Sequence, residues 1–168
     1  NGVEAKAGTL GSKYEFFHEW KRLSEQEQGS VALETMLRGI CKKENFLDLL
    51  ENFILFDHSG GHTAKILARN HQYLGVNEAV KAYEARKLNN GKLGVFWHTQ
   101  GSGKSYSMVF LAQKIRRKFS GSPTIVILTD RDELNTQISD TFENCGLLGK
   151  TKASQFIASS GADLEQKL

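Results

Sequence analysis

The chain has 168 residues, of which 39% are apolar and 24% charged, and its formal net charge is +3. That length supports one domain with a real core and excludes two large ones, and no apolar run is long enough to cross a bilayer. So mild a charge says little about partners, and the single proline, Pro123, argues against disordered linkers.

The sequence opens at Asn1-Gly2-Val3 without a methionine or a signal-peptide pattern, and it closes at Gln166-Lys167-Leu168 without a recognisable stop. It therefore reads as an internal segment. Residues 14–23 place Phe16, Phe17, Trp20 and Leu23 at helical spacing, which predicts a helix with one apolar face. A second helix starts at Ser30 as N-cap, with Glu34 near the positive end of the dipole and Val31, Leu33, Met36, Leu37 and Ile40 inward. A third begins near Lys43 and runs through Phe46, Leu47, Leu49 and Leu50. It gives way to a strand, Phe53-Ile54-Leu55-Phe56, that ends at Asp57. Gly60-Gly61 is a loop.

Residues 65–88 are helical in pattern with a break expected near Gly75, and Asn89-Asn90-Gly91 stops that helix. Leu93-Gly94-Val95-Phe96-Trp97 reads as a buried strand, residues 98–103 as a loop and residues 104–119 as a helix. Lys114, Arg116, Arg117 and Lys118 near the end of that helix read as ordinary partners of its negative pole rather than as a DNA surface. After Pro123, the β-branched run 124–129 predicts a second buried strand, and a further helix lies around residues 134–142. Residues 149–168 are polar and weakly patterned, and no element is assigned to them. Strand, loop, helix and strand in this order make a βαβ unit. The fold class is therefore α/β, with a parallel sheet flanked by helices and a helical lead-in before it.

The chemistry is concentrated at Gly101-Ser102-Gly103-Lys104-Ser105. A triphosphate needs several donors at close range, and glycines let successive backbone N–H groups form an anion cradle. The helix that starts near Lys104 adds its positive end. Lys104 reaches the β- and γ-phosphates of ATP in this reading, and the Ser105 hydroxyl ligates Mg²⁺. The strict P-loop pattern has a further glycine where this chain has His98. A glycine-rich turn that happens to precede a lysine is the alternative, and the flanking strand and helix weigh against it.

Around that loop, Val95-Phe96-Trp97-His98-Thr99-Gln100-Gly101-Ser102-Gly103-Lys104-Ser105 resembles motif I of superfamily 2 helicases and translocases. More narrowly, the part from Trp97 to Ser105 is similar to the R (restriction, or motor) subunit of type I restriction enzymes. The run Ala68-Arg69-Asn70-His71-Gln72-Tyr73-Leu74-Gly75-Val76 is similar to the segment that precedes motif I in that family. The run from Thr124 through Thr129-Asp130-Arg131 to Gln137-Ile138 resembles its motif Ia, and Asn1-Gly2-Val3-Glu4-Ala5-Lys6-Ala7-Gly8-Thr9 resembles its junction after the nuclease domain. The resemblance implies a RecA-like domain and an ATP-driven translocase of double-stranded DNA in the cytoplasm, assembled with modification and specificity subunits. It implies that Thr99, Gln100 and the residues through Ser105 hold nucleotide. Gln72 would read adenine, since an amide pairs bidentately with its edge, and Arg69 would support it. Thr129, Arg131 and Gln137 would face the DNA backbone at the carboxyl end of the strand. Arg131 reads equally as a solvated arginine, and Asp130 and Asp132 as caps of the next helix.

The acidic motif that holds Mg²⁺ and orients water in this family has no counterpart here, and neither does the second motor domain with its arginine finger. The segment is thus expected to bind nucleotide weakly and not to turn it over alone. Glu4-Ala5-Lys6 mimics half of a nuclease motif without a partner aspartate. His58 and His62 stand at metal-ligand spacing, but Gly60-Gly61 lies between them, so neither pattern is read as a site. The two cysteines, Cys41 and Cys145, are far apart and suit a reducing cytosol as structural thiols. The organisation expected is a lead-in over residues 1–64 and the front of the first motor domain over residues 65–168. Alternatives are another superfamily 2 helicase, a nucleotide-gated binding module without hydrolysis, and a P-loop kinase.

Overall fold

A computed structural model describes residues 4–30 and 32–168. The junction residues Asn1, Gly2 and Val3 and the predicted core position Val31 lie outside the described residues. The chain is mixed α/β, with two small antiparallel sheets and six α-helices among the described residues. No described helix is long and apolar enough to cross a membrane.

The first sheet is a short ribbon, β1 (Lys6–Ala7) against β2 (His18–Glu19), with Lys6 opposite Glu19 and Ala7 opposite His18. The helix expected over residues 14–23 is absent. Only one tight turn, Tyr14–Phe16, is helical, and Phe16 is exposed while Trp20 is 3% exposed. The aromatic spacing thus reflects a single anchor, Trp20, that packs on Tyr73 with ring centroids 5.3 Å apart. Next comes α1 (Leu33–Met36), which continues as a wider π-helical turn, Leu37–Cys41. Ala32 precedes α1 and makes no side-chain cap, so Ser30 is not the N-cap; its hydroxyl lies 3.3 Å from that of Thr35. The predicted third helix and strand are present as α2 (Lys43–Asn52) and β3 (Ile54–Asp57).

The second sheet pairs β3 with β4 (Ala64–Leu67) antiparallel, from Ile54 opposite Leu67 to Asp57 opposite Ala64. The glycines between them turn the chain with positive φ, at 73° and 78°. Helix therefore begins later than predicted, as α3 (Asn70–Glu84). Nor does α3 break at Gly75. The glycine serves close approach instead, because a Cβ there would stand 2.5 Å from Cε2 of Phe96. Gly75→Ala should cost about 1–3 kcal/mol by overpacking, read as a lowered thermal midpoint; an unchanged midpoint would mean that Phe96 gives way freely.

Helices α4 (Lys104–Lys118) and α5 (Asp132–Asn144) follow as predicted. Residues 149–168, left unassigned from sequence, form a short turn, Ala153–Gln155, and α6 (Gly161–Lys167). Helices α3 and α4 run side by side in the same direction, with Gln72 touching Gly103 at one end and Tyr83 tilted against Phe119 at the other. The core lies between them and the β3–β4 hairpin, where Phe53, Leu55, Val76, Val80, Val109 and Phe110 are the largest fully buried side chains. Lys114 is not a helix-end cation in water. It is 7% exposed, and its ammonium donates to both oxygens of Asp48 and to Asn77, each at 2.6 Å. Burial holds its pKa below the ordinary value, against the pull of Asp48.

The predicted parallel sheet is not formed among the described residues. Residues 93–97 and 124–129 make no ladder, and Val95, Trp97 and Leu128 are 94%, 77% and 94% exposed. A strand needs hydrogen-bonding neighbours in the sheet plane, and these two runs do not pair with each other.

Candidate phosphate-loop site

Between residues 97 and α4 the chain makes a tight loop. Gly101 and Gly103 have φ of 74° and 82°, a region costly for any residue with a Cβ. Ser102 N donates to Thr99 O at 3.3 Å and closes the turn. Helix α4 starts at Lys104, so the first-turn amides have no acceptor within the helix and remain available to an anion. Gly101 is exposed, and a Cβ placed there meets nothing within 4 Å, so the approach to the loop is open.

The Lys104 ammonium folds back and donates to the carbonyls of His98 and Thr99, both at 2.9 Å. Both acceptors are neutral carbonyl oxygens of the loop itself. A polyphosphate would take over those hydrogen bonds, and the charge-assisted contact is the stronger one. The Ser105 hydroxyl accepts from Gln137 Nε2 at 3.4 Å. A cavity opens here between α4 and α5, lined by Gln100, Gly101, Gly103, Lys104 and Ser105 on one wall and Thr129, Asp130 and Gln137 on the other. The structure thus gathers Thr129 and Gln137 at the 99–105 loop itself. Arg131 is exposed at the N-cap of α5, 3.8 Å from the Asp130 carboxylate. Neither aspartate caps α5 through a side-chain hydrogen bond; Asp132 lies in its first turn, where its charge suits the dipole.

On the far side of the loop Gln72 is 3% exposed and fully engaged. Its Oε1 accepts from Arg69 N at 2.9 Å and its Nε2 donates to Gly103 O at 2.9 Å. A Cβ on Gly103 would stand 2.8 Å from Gln72 Nε2, so the glycine is needed for this contact as well as for its φ. In this state the amide ties α3 to the loop rather than pointing at open space. Its neighbour His71, unassigned from sequence, does likewise through Nε2 to Ser102 O at 3.0 Å. The His98 ring packs edge-on to His71 and Phe96, at 4.8 and 4.4 Å between centroids. Burial, then His71 and Lys104, keep the His98 pKa below its ordinary value.

A second anchor that sequence reasoning missed holds the start of α4. Tyr106, next to Ser105, donates its hydroxyl to Asp57 Oδ2 at 2.5 Å, and Ser59 N donates to Asp57 Oδ1 at 2.8 Å. Burial pushes the Asp57 carboxyl up, but these hydrogen bonds outweigh it and the pKa lies below the usual value. Burial and the same carboxylate push the Tyr106 phenol well up, so it stays a donor. Cys145 is partly buried near this pair, its thiol pushed up to about 12, whereas Cys41 is exposed. His58 and His62 make local contacts, to Thr63 Oγ1 at 3.0 Å and Gly60 O at 3.3 Å.

Residues 71–168 match the SWI2/SNF2 ATPase family. The chain belongs to that family. It is similar to the type I restriction enzyme HindI endonuclease subunit of Haemophilus influenzae, at 38% identity over 153 residues. It is also similar to the putative type I restriction enzyme MjaIXP and MjaVIIIP endonuclease subunits of Methanocaldococcus jannaschii, at 30% over 169 and 35% over 130 residues. The alignments cover 86%, 86% and 73% of this chain but only 14%, 16% and 12% of those proteins. The resemblance to restriction subunits drawn from the motifs is therefore shared by most of the chain, and the SWI2/SNF2 match begins within α3 and includes residues 99–105.

Proposed function

We propose that this segment is the ATP-binding front of a type I restriction motor subunit, with residues 1–64 as lead-in and residues 65–168 as the beginning of the first RecA-like domain. The observation that carries the reading is the loop 99–105, where open first-turn amides and a lysine held only by loop carbonyls face an accessible space. Thr99, Gln100 and the residues through Gly103 would wrap the phosphates, Lys104 would neutralise them, and the Ser105 hydroxyl would take Mg²⁺ as ligand. Bound Mg²⁺ supplies charge neutralisation across the β- and γ-phosphates. Gln137 orients that hydroxyl from α5, and Thr129 and Arg131 at the rim would meet the backbone of double-stranded DNA. Gln72 would act first by fixing the loop through Gly103, with Arg69 beside it at the nucleotide. The exposed apolar runs 93–97 and 124–129 would join a parallel sheet whose other strands come from elsewhere in the full-length protein.

In the full-length subunit, working in the cytoplasm with modification and specificity subunits, ATP hydrolysis would drive DNA translocation. DNA-stimulated ATP hydrolysis by that subunit tests the reading. Nucleotide binding without turnover would favour a nucleotide-gated binding module instead.

A further inference from the structure

The turn end of the β3–β4 hairpin touches both helices that border the 99–105 loop. Asp57, the last residue of β3, is 5% exposed and has no salt-bridge partner among the described residues. Its Oδ1 accepts from Ser59 N at 2.8 Å within the turn, and its Oδ2 accepts from the Tyr106 hydroxyl at 2.5 Å. The next residue, His58, donates its backbone N–H at 3.1 Å to the carbonyl of Asn144, the last residue of α5. Tyr106 stands in the first turn of α4 directly after Ser105, whose hydroxyl accepts from Gln137 of α5. These contacts close a ring, from hairpin to α4, from α4 to α5 and from α5 back to the hairpin.

A buried carboxylate without a cation is costly, and it persists where hydrogen bonds satisfy both oxygens. The turn uses one oxygen, a task that asparagine or serine performs as well. The second is committed to Tyr106. The Tyr106 ring packs against the core, which phenylalanine would do equally, so the hydroxyl is accounted for by Asp57 alone. From α3, His71 and Gln72 hold the carbonyls of Ser102 and Gly103 and so fix the loop before the helix starts. Asp57 fixes the helix just beyond Ser105. The Gln137 contact to the Ser105 hydroxyl is long at 3.4 Å and does not hold it unaided. A metal ligand must be kept within about 0.5 Å of its working position, so the support behind this hydroxyl matters.

We propose that Asp57 and Tyr106 are positioning residues for the divalent cation, acting through the first turn of α4 to hold the Ser105 hydroxyl in place as a ligand for Mg²⁺. The assignment rests on the reading of the loop as a nucleotide site and adds the hairpin to it. Calorimetric titration of the full-length subunit with the β,γ-imido analogue of ATP, once with Mg²⁺ and once with EDTA, tests it. Tyr106→Phe keeps the ring in the core and should weaken binding about tenfold with Mg²⁺, the usual loss when a metal ligand's support is removed. Binding in EDTA should stay as it was, whereas a merely structural role would weaken both alike. Asp57→Ala should show the same selective loss. The double variant should lose no more, because the two side chains act through one contact. Equal losses in the two conditions, no loss with Mg²⁺, or additive losses in the double variant overturn the proposal and leave the loop reading standing. A wild-type subunit that binds the analogue no better with Mg²⁺ than in EDTA overturns Ser105 as the metal ligand, and this proposal with it.

Discussion

Lys104→Ala in the full-length subunit is expected to lower DNA-stimulated ATP turnover by at least about a hundredfold, the usual cost of removing one positioned charge from a reacting phosphoryl group. The reason is local. Lys104 is the loop's own ammonium, and it is held only by the His98 and Thr99 carbonyls. Those acceptors are neutral, so the ammonium exchanges them for phosphate oxygens at a gain. The fold should survive the change, because no buried carboxylate depends on this lysine. Steady-state hydrolysis with and without DNA, alongside a thermal melt, checks both halves. Turnover retained in a folded Lys104→Ala subunit would remove Lys104 from the mechanism.

Val95→Asp should behave oppositely in two contexts. In this segment Val95 is 94% exposed, so the substitution should change stability by less than about 0.5 kcal/mol. In the full-length subunit the same position should lie within a parallel sheet covered on both faces. A carboxylate buried there without a partner costs at least about 3 kcal/mol, enough to unfold the domain or to deplete its soluble yield. Denaturant melts of segment and full-length protein make the comparison. Equal tolerance in both would show that residues 93–97 stay outside the sheet.

The parts of this fold that sequence revealed are those with a long uniform period and a chemical punctuation mark. Helices α2, α4 and α5 and strand β3 are of that kind, and Lys104 opens α4 as the motif demanded. The misreadings came where one pattern served two causes. Ala64-Lys65-Ile66-Leu67 extends the apolar spacing of α3 but pairs with β3, because the double glycine before it folds the chain back on itself. Gly75 resembles a helix breaker and is instead the flat spot that admits Phe96. The ion pair of Lys114 with Asp48 spans 66 residues, beyond any local pattern. Residues 93–97 and 124–129 were legible as apolar runs, but the ladder expected of them is not formed among the described residues, since ladder partners are a property of the whole sheet.

At the candidate site, sequence singled out the residues of the loop and left out what supports them. His71 stood within the run that resembles the family, and its proximity to a glycine-rich loop was the signal available. The Asp57–Tyr106 anchor joins residues 49 apart and had no signal at all. Gln72 was expected at adenine, and the structure brings its amide onto Gly103, a placement only a three-dimensional neighbour could reveal.

The most direct measurement is a structure of the full-length subunit with Mg²⁺ and a non-hydrolysable ATP analogue. The β- and γ-phosphates should lie in the concave side of residues 99–105, with the Lys104 ammonium moved from the His98 and Thr99 carbonyls onto phosphate oxygen. A triphosphate bound elsewhere, with that ammonium still on its two carbonyls, would contradict the account.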